Sequence, residues 1–376
     1  MSGPSSRAAA RAAVTTAPPT ERVRDATAHQ IEQVRATLAE QDLDALFVTN
    51  PPNVRYLSHF SSPDDGTVLV LPDAVVLLTD GRYTAQADEE SAIPFEIVAN
   101  ADDTVARLTR GLRLGVESDH ITVKRFKAIG ELRGEEPRTS VGIVSRLRMV
   151  KSPAEIDLLR EAARLTDVGF QAALAFMRAG VTEIDVALEL ERAMRAAGAD
   201  GPSFETIVAS GVRGAMPHGT ASQKALQDGD LVTLDFGACY RGYHADMTRT
   251  VGIGSVGAEE RRMYQAVLEA QVAAVAAVAP GRSGSELDSV ARDILTGQGL
   301  GEYFSHSLGH GTGLHIHEDP RLSQRSTDVL APGMIVTVEP GVYIPGFTGL
   351  RIEDLLLVTR AGHEVLSHSP KELITL

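Results

Sequence analysis

The chain has 376 residues, long enough for two or three domains, and its 43% hydrophobic and 23% charged residues, 34 Gly and no Trp fit an ordinary folded protein rather than a disordered or fibrous one. A formal net charge of −14, with basic residues scattered in pairs such as Arg261-Arg262, argues against a nucleic-acid partner. No apolar run reaches the roughly 20 residues that span a bilayer, so no membrane association is expected, and the lone Cys239 cannot form an intramolecular disulfide, which makes the cytoplasm the expected location.

Residues 1–20 are rich in Ala, Ser, Pro and Arg, lack the apolar h-region of a secretory signal, and read as a disordered tail. Over 28–41, Ile31, Val34 and Leu38 recur at helical spacing, and Ala45-Leu-Phe-Val48 has the length and character of a buried strand. Asn50-Pro-Pro-Asn53 turns the chain. Strand-like apolar runs at 67–71, 75–78, 113–116 and 142–145 then alternate with helix-like or polar segments, the rhythm of an α/β domain over 28–150. No chemical motif appears in this part; Tyr56, His59 and Tyr83 read as packing or surface residues.

Ser152-Pro-Ala-Glu155 combines an N-cap serine, proline at the first helical position and glutamate at the third, and marks the start of a second domain over 151–376. Ile156, Leu159, Ala163, Phe170, Leu174 and Met177 keep a helical stripe, and a second helix starts at Thr182-Glu-Ile-Asp185 and ends near Gly198. Strand-like segments follow at 206–209, 231–236 and 247–253. The order then repeats, with helices at 258–279 and 285–296 and alternating apolar segments at 334–339 and 350–358, so an α+β domain with two similar halves is expected, any shared site lying between them.

Between the second pair of helices and the last strands, His306-Ser-Leu-Gly-His310-Gly-Thr-Gly-Leu-His315-Ile-His317 places four of the 11 histidines among three glycines. Neutral imidazole is the commonest metal ligand and a natural proton carrier near pH 7, and glycine lets backbone approach closely. In Leu231-Val-Thr-Leu-Asp235, alternation puts Leu231, Thr233 and Asp235 on one face and Val232, Leu234 and Phe236 on the other, so Asp235 ends a half-buried strand. Asp246 precedes the next strand, Glu339 ends 334–339, and Arg351 shares a face with Glu353. Each acid alone reads as a solvated strand end. Together, with too few basic neighbours to neutralise them, four carboxylates and one imidazole form a hard donor set suited to Mn²⁺ or a similar cation, and four negative charges would balance two divalent ions.

Asp235, Asp246, His310, Glu339 and Glu353, in that order and in the contexts LDFG, SLGHGTG, TVEPG and RIED, resemble the five metal ligands of the pita-bread metallopeptidases, which include methionine aminopeptidase, aminopeptidase P and prolidase. The resemblance implies a C-terminal pita-bread catalytic domain of α+β class with pseudo-two-fold symmetry, preceded by a creatinase-like α/β domain over 28–150. It implies two divalent ions per chain, Mn with Co or Zn as alternatives: Asp235 on one, His310 and Glu339 on the other, Asp246 and Glu353 on both. His218 in Pro217-His218-Gly219, together with His306 and His317, matches family histidines that contact substrate and assist catalysis, and Arg351 matches an arginine beside the last carboxylate. The implied reaction is hydrolysis of an Xaa-Pro bond through a metal-bridging hydroxide, with Glu339 moving the proton.

Within the family, the N-terminal domain and Arg351 point away from methionine aminopeptidase. The short interval 342–350 between the last two motifs favours prolidase, acting on proline-containing dipeptides, over aminopeptidase P, acting on longer peptides. The intact ligand set speaks against the metal-free creatinase branch and against non-enzymatic pita-bread binding modules. A homodimer is the implied assembly. His244 and His315 read as bystanders, Tyr343 is not assigned to the pocket, and Cys239 reads as a small buried or turn residue.

Overall fold

The computed structural model describes residues 19–376, so the expected tail lies outside the described residues except at its last positions. There Thr20 is already the N-cap of helix α1 (Glu21–Glu40), its side chain accepting from Val23 N–H. The helix starts well before 28, but its first turns are polar and its buried stripe is Thr27, Ile31, Val34 and Leu38, so periodicity reveals only the later part.

The chain divides after Leu147 into two compact units. The first is a six-stranded mixed sheet of β1 (Ala45–Val48), β2 (Gly66–Val70), β3 (Val75–Thr79), β4 (Phe95–Ile97), β5 (Leu114–Glu117) and β6 (Arg138–Ser140), in the order β4-β3-β2-β1-β5-β6. Helices α2 (Pro51–Ser58), α3 (Thr84–Glu90), α4 (Ala101–Leu108) and α5 (Val123–Arg133) connect the strands. Phe47, Leu69, Leu78, Val105, Val116 and Ile129 form its core. The apolar run at 142–145 is not a strand. Gly142 turns the chain at φ +68° and Ile143–Met149 is helix α6; four apolar residues are too few to separate a strand from a buried helical turn.

The second unit begins with α7 (Pro153–Phe176), where Ser152 Oγ accepts from Glu155 N–H and Glu155 accepts from Ser152 N–H, and continues through α8 (Glu183–Ala196). Then come β7 (Gly201–Pro202), β8 (Ile207–Ser210), β9 (Leu231–Phe236), β10 (Ala238–Tyr240), β11 (Tyr243–His244) and β12 (Met247–Gly252). The succession recurs with α9 (Ala258–Ala277), α10 (Gly284–Gly297), β13 (Gly309–Gly311), β14 (Glu318–Leu322), β15 (Ile335–Val338), β16 (Gly341–Ile344), β17 (Thr348–Arg351), β18 (Asp354–Thr359) and β19 (Gly362–Val365). The main sheets run β12-β9-β8 in the first half and β14-β13-β15-β18-β19 in the second.

Each half has its own core. Phe170, Leu190, Val232, Leu234 and Phe236 pack in the first, and Val267, Leu287, Val336, Val338 and Leu356 in the second. Strand β9 is buried on both faces, not one: Val232, Leu234 and Phe236 enter the first core while Leu231 enters the second. The expected single strand at 350–358 is two. β17 and β18 belong to different sheets, and Ile352 and Glu353 form the break, with Ile352 N–H donating to Pro340 O and Glu353 N–H to Thr248 O. Apolar residues stand on both sides of Glu353-Asp354, at 350, 352 and 355–358, so the segment reads as one strand and the change of partner is hidden in the sequence. Among the described residues no helix is long and apolar enough to cross a membrane.

Candidate metal centre

A cavity of about 420 Å³ brings together Asp235, Asp246, His310, Glu339 and Glu353, along with His218, His306, His317 and Arg351. Local pairing explains how. Thr248 lies opposite Asp235 across the β9–β12 hairpin, and Asp246 is two residues before Thr248, so all three project from one side. Glu353 enters from the break after β17, where Thr248 Oγ1 donates to its Oε2 at 2.7 Å. Glu339 follows β15 directly, its backbone N–H bonded to Leu308 O and its carboxylate 3.3 Å from Thr337 Oγ1.

His310 sits in the middle of β13. A Cβ at Gly309 would stand 2.0 Å from the Thr337 carbonyl oxygen, and one at Gly311 would stand 2.3 Å from that of Asp319, so only glycine admits β13 between its neighbours. His310 Nδ1 lies 3.0 Å from Gly311 O, which can only accept, so Nδ1 carries the proton. Nε2 is thereby left with its lone pair facing Asp246 Oδ2 at 3.6 Å and Glu339 Oε1 at 3.5 Å. Burial lowers the imidazole pKa to about 3, which keeps the ring neutral.

The carboxylates are short of partners. Asp235 Oδ1, Asp246 Oδ1 and Glu353 Oε1 are buried and have no hydrogen-bond partner among the described residues. Arg351 is the one buried cation among the residues that line the cavity; its Nη2 donates to Asp235 Oδ2 and its Nε lies 3.9 Å from Glu339 Oε2. Burial, then repulsion from neighbouring acids, pushes the Asp246 and Glu353 carboxyls well above the usual range. Burial also raises Glu339, to about 8, against the pull of Arg351. One arginine cannot neutralise four such groups. Ligating atoms of Asp246, His310 and Glu353 all lie within 4.8 Å of one another, and this oxygen-rich set with a single neutral imidazole fits a hard divalent cation.

The other expected residues divide in two. His218 and His317 stand exposed at the cavity, the His317 ring edge-on to His310 with centroids 4.6 Å apart. His306 is tied into the protein: Nδ1–H donates to Ser307 O at 2.8 Å, and Nε2, 2.9 Å from Tyr343 Oη, accepts the tyrosine proton because Arg351 Nη1 donates to that same Oη at 2.5 Å. Burial, with the Arg351 charge, lowers its pKa to about 4. His306 therefore offers the cavity a neutral ring wall. Tyr343, left out of the pocket by sequence reasoning, is the buried link between His306 and Arg351. His244 and His315 do not line the cavity; His315 Nδ1 contacts His317 O at 2.9 Å, a local brace.

Arg321 also lines the cavity and was missed. It lies opposite His310 in the β13–β14 pairing, its side chain 47% exposed and its Nε 4.0 Å from Asp319. The register places it at the site, and nothing in the local sequence announces that register.

A twice-repeated helix pair and sheet holding four carboxylates and an imidazole around one cavity is the pita-bread metallopeptidase arrangement. The sequence profile of metallopeptidase family M24 matches residues 157–360, and that of the creatinase/prolidase N-terminal domain matches 30–150. The chain belongs to metallopeptidase family M24. It is 37% identical over 356 residues to the Xaa-Pro dipeptidase of Pyrococcus horikoshii, covering 92% of this chain and 98% of that one. Among solved structures, the Xaa-Pro dipeptidase from Bacillus anthracis superposes with a TM-score of 0.90 at 44% identity, over 93% of this chain and 100% of that one. An X-Pro aminopeptidase from Thermotoga maritima superposes with a TM-score of 0.83 at 35% identity, over 89% and 98%.

Proposed function

We propose that this protein hydrolyses the Xaa-Pro bond of dipeptides, using two divalent ions, most simply Mn²⁺ with Co²⁺ or Zn²⁺ as alternatives. Asp235 would hold one ion, His310 and Glu339 the other, and Asp246 and Glu353 both. Bound there, the ions would acidify water and polarise the scissile carbonyl. The observation that carries the reading is the set of three unpartnered buried carboxylate oxygens facing a cavity with an underused arginine at its rim.

The chain's own groups account for the remaining steps. Glu339 accepts a proton from the attacking water and delivers it to the imino nitrogen of the leaving proline. His218 and His317 donate towards the oxygen on which charge develops. Arg351 fixes Asp235 and, through Tyr343, the His306 ring, which with Phe304 behind it, edge-on at 5.1 Å between centroids, forms an apolar wall for the pyrrolidine ring. Arg321 pairs with the free carboxylate of a dipeptide, a group that a longer peptide carries further from the cut bond. The dipeptidase names of the relatives from Pyrococcus horikoshii and Bacillus anthracis point the same way. Cytoplasmic location, consistent with a single cysteine, and a homodimer complete the proposal.

The similarity to the Thermotoga maritima aminopeptidase supports a second reading, removal of the first residue from longer Xaa-Pro peptides. Comparing Ala-Pro with Ala-Pro-Ala separates them: dipeptidase action requires faster cleavage of Ala-Pro, and faster cleavage of the tripeptide favours the aminopeptidase. Glu339→Gln is expected to leave the fold intact and to lower turnover by about 100-fold or more. Near-normal turnover would remove Glu339 from its role. Two Mn²⁺ per chain by elemental measurement of reconstituted protein is the expected count.

A further inference from the structure

We infer that Glu183 is a positioning residue that sets where His218 stands over the cavity. It is the first residue of α8 and its side chain is fully buried (0% exposed). The helix does not require that carboxylate, because the Thr182 side chain already caps it by accepting from Asp185 N–H. Glu183 points instead at the segment that leaves β8. Its Oε1 accepts from Ser210 N–H at 2.8 Å and Ser210 Oγ at 2.7 Å. Its Oε2 accepts from Ser222 N–H at 3.1 Å, Ser222 Oγ at 2.5 Å and Arg213 Nε at 3.0 Å. One carboxylate thus takes both donors of each serine flanking the loop 211–221.

From within the loop, Arg213 adds a cross-tie, its Nη2 donating to Thr220 O at 2.6 Å. The far side is tied to the metal-centre strand: Thr348 Oγ1 donates to Gly211 O at 3.0 Å, and Arg351 Nη1 lies 3.3 Å from Pro217 O. Pro217, His218 and Thr220 are the loop residues that line the cavity. A connecting segment of this length at a surface ordinarily moves. Here a buried charge satisfied by five donors, at a site where an unsatisfied one would be costly, closes the loop at its base. Glu183 touches no substrate; it acts through the placement of His218, and so the inference rests on the role proposed for His218.

The test is a double-mutant cycle on the Mn²⁺-loaded protein with Ala-Pro as substrate. Glu183→Gln keeps the side-chain shape but replaces one acceptor with a donor. It is expected to lower kcat/KM by about 10- to 100-fold, the scale of a small misplacement remote from the chemistry, with bound Mn²⁺ unchanged and faster amide exchange confined to 211–221. In a His218→Ala background the same change is expected to have little further effect. Equal losses in both backgrounds would overturn the inference while leaving the role of His218 intact. A His218→Ala protein of full activity would overturn both. Ser222→Ala, which retains the backbone N–H bond, gives a milder version should Glu183→Gln fail to fold: a smaller loss in the same direction, absent without His218, is expected, and a loss that persists without His218 overturns the inference.

Discussion

Glu353 and Asp354 are neighbours in the chain and both lie out of solvent, at 1% and 0% exposure, yet their surroundings are opposite. Asp354 is surrounded by protein donors: Arg249 Nη2 and Lys371 Nζ each lie 2.7 Å away and Gln271 Nε2 lies 2.9 Å away. Burial pushes its carboxyl up, but Arg249 and Lys371 outweigh that and hold it below the usual range. Glu353 faces the cavity with one hydroxyl donor, Thr248, and an oxygen that has no partner. Its carboxyl is pushed up by burial and by Glu339 and Asp235. Successive side chains at the start of a strand point to opposite sides, so one step along the backbone separates a charge whose countercharges belong to the chain from one whose countercharge must arrive from outside.

The sharpest test of this contrast exchanges each acid for its amide. Glu353→Gln is expected to weaken Mn²⁺ binding by more than the 10- to 100-fold typical of residues behind a metal's ligands, and to abolish turnover, while the metal-free protein melts no lower than the parent because a repelled buried charge has gone. Asp354→Asn is expected to do the reverse. Leaving Arg249 buried without its carboxylate should cost about 3–5 kcal/mol of stability, read from urea unfolding, while Mn²⁺ affinity of the folded fraction stays within about tenfold of the parent. A drop in stability from the first change, or a loss of Mn²⁺ binding as large as the first from the second, would break the distinction.

The two kinds of acid should also respond oppositely to pH. In the metal-free fold Glu339 is raised from an ordinary value of 4.5 to about 8, so the folded chain holds that proton more tightly than the unfolded chain does. Its contribution to stability is then fully present below the unfolded value and is lost as pH rises through about 8. The melting-temperature difference between the metal-free parent and Glu339→Gln should decline over that window. Because a cation must displace the proton, Mn²⁺ affinity should rise with pH up to about 8. Titration calorimetry in buffers of different ionisation enthalpy would detect the released proton, and an affinity independent of pH would contradict the raised value.

The candidate ligands were legible in the sequence and the residues that support them were not. Asp235, Asp246, His310, Glu339 and Glu353 each carry a local signal, an acid or imidazole set where strand alternation or crowded glycines make it costly. Glu183 looks like an ordinary first-turn glutamate, Tyr343 like a strand tyrosine and Arg321 like a solvated strand arginine; what places them are loop closure and strand register, which join residues far apart. The break at Ile352 and Glu353 is hidden because both flanking strands are buried and apolar, with Leu350 before it and 355–358 after it. Even Asp354 could have been taken for a sixth candidate ligand, since the three groups that satisfy it stand at 249, 271 and 371.

Lys371 gives the finest test. Its ammonium lies 2.7 Å from Asp354 Oδ2 and is 24% exposed, so it shares its charge between the buried acid and solvent. Lys371→Met keeps the apolar stem and removes the charge, and should cost about 1–3 kcal/mol. Asp354 would then lose one of the two cations that lower its carboxyl. With a lowered value in the fold, Asp354 stabilises the protein above its ordinary value of 3.8, and that stabilisation is lost as pH falls through the folded value. Lys371→Met should therefore move acid unfolding, followed by circular dichroism, to a higher pH. Mn²⁺ binding at neutral pH should be unchanged, because the lost charge belongs to the side of the strand that the chain neutralises for itself. A matching fall in Mn²⁺ affinity would mean that the two faces share their electrostatics through the backbone between Glu353 and Asp354, and that Arg249, whose Nη1 donates to both Thr248 O and Glu353 O, transmits the change.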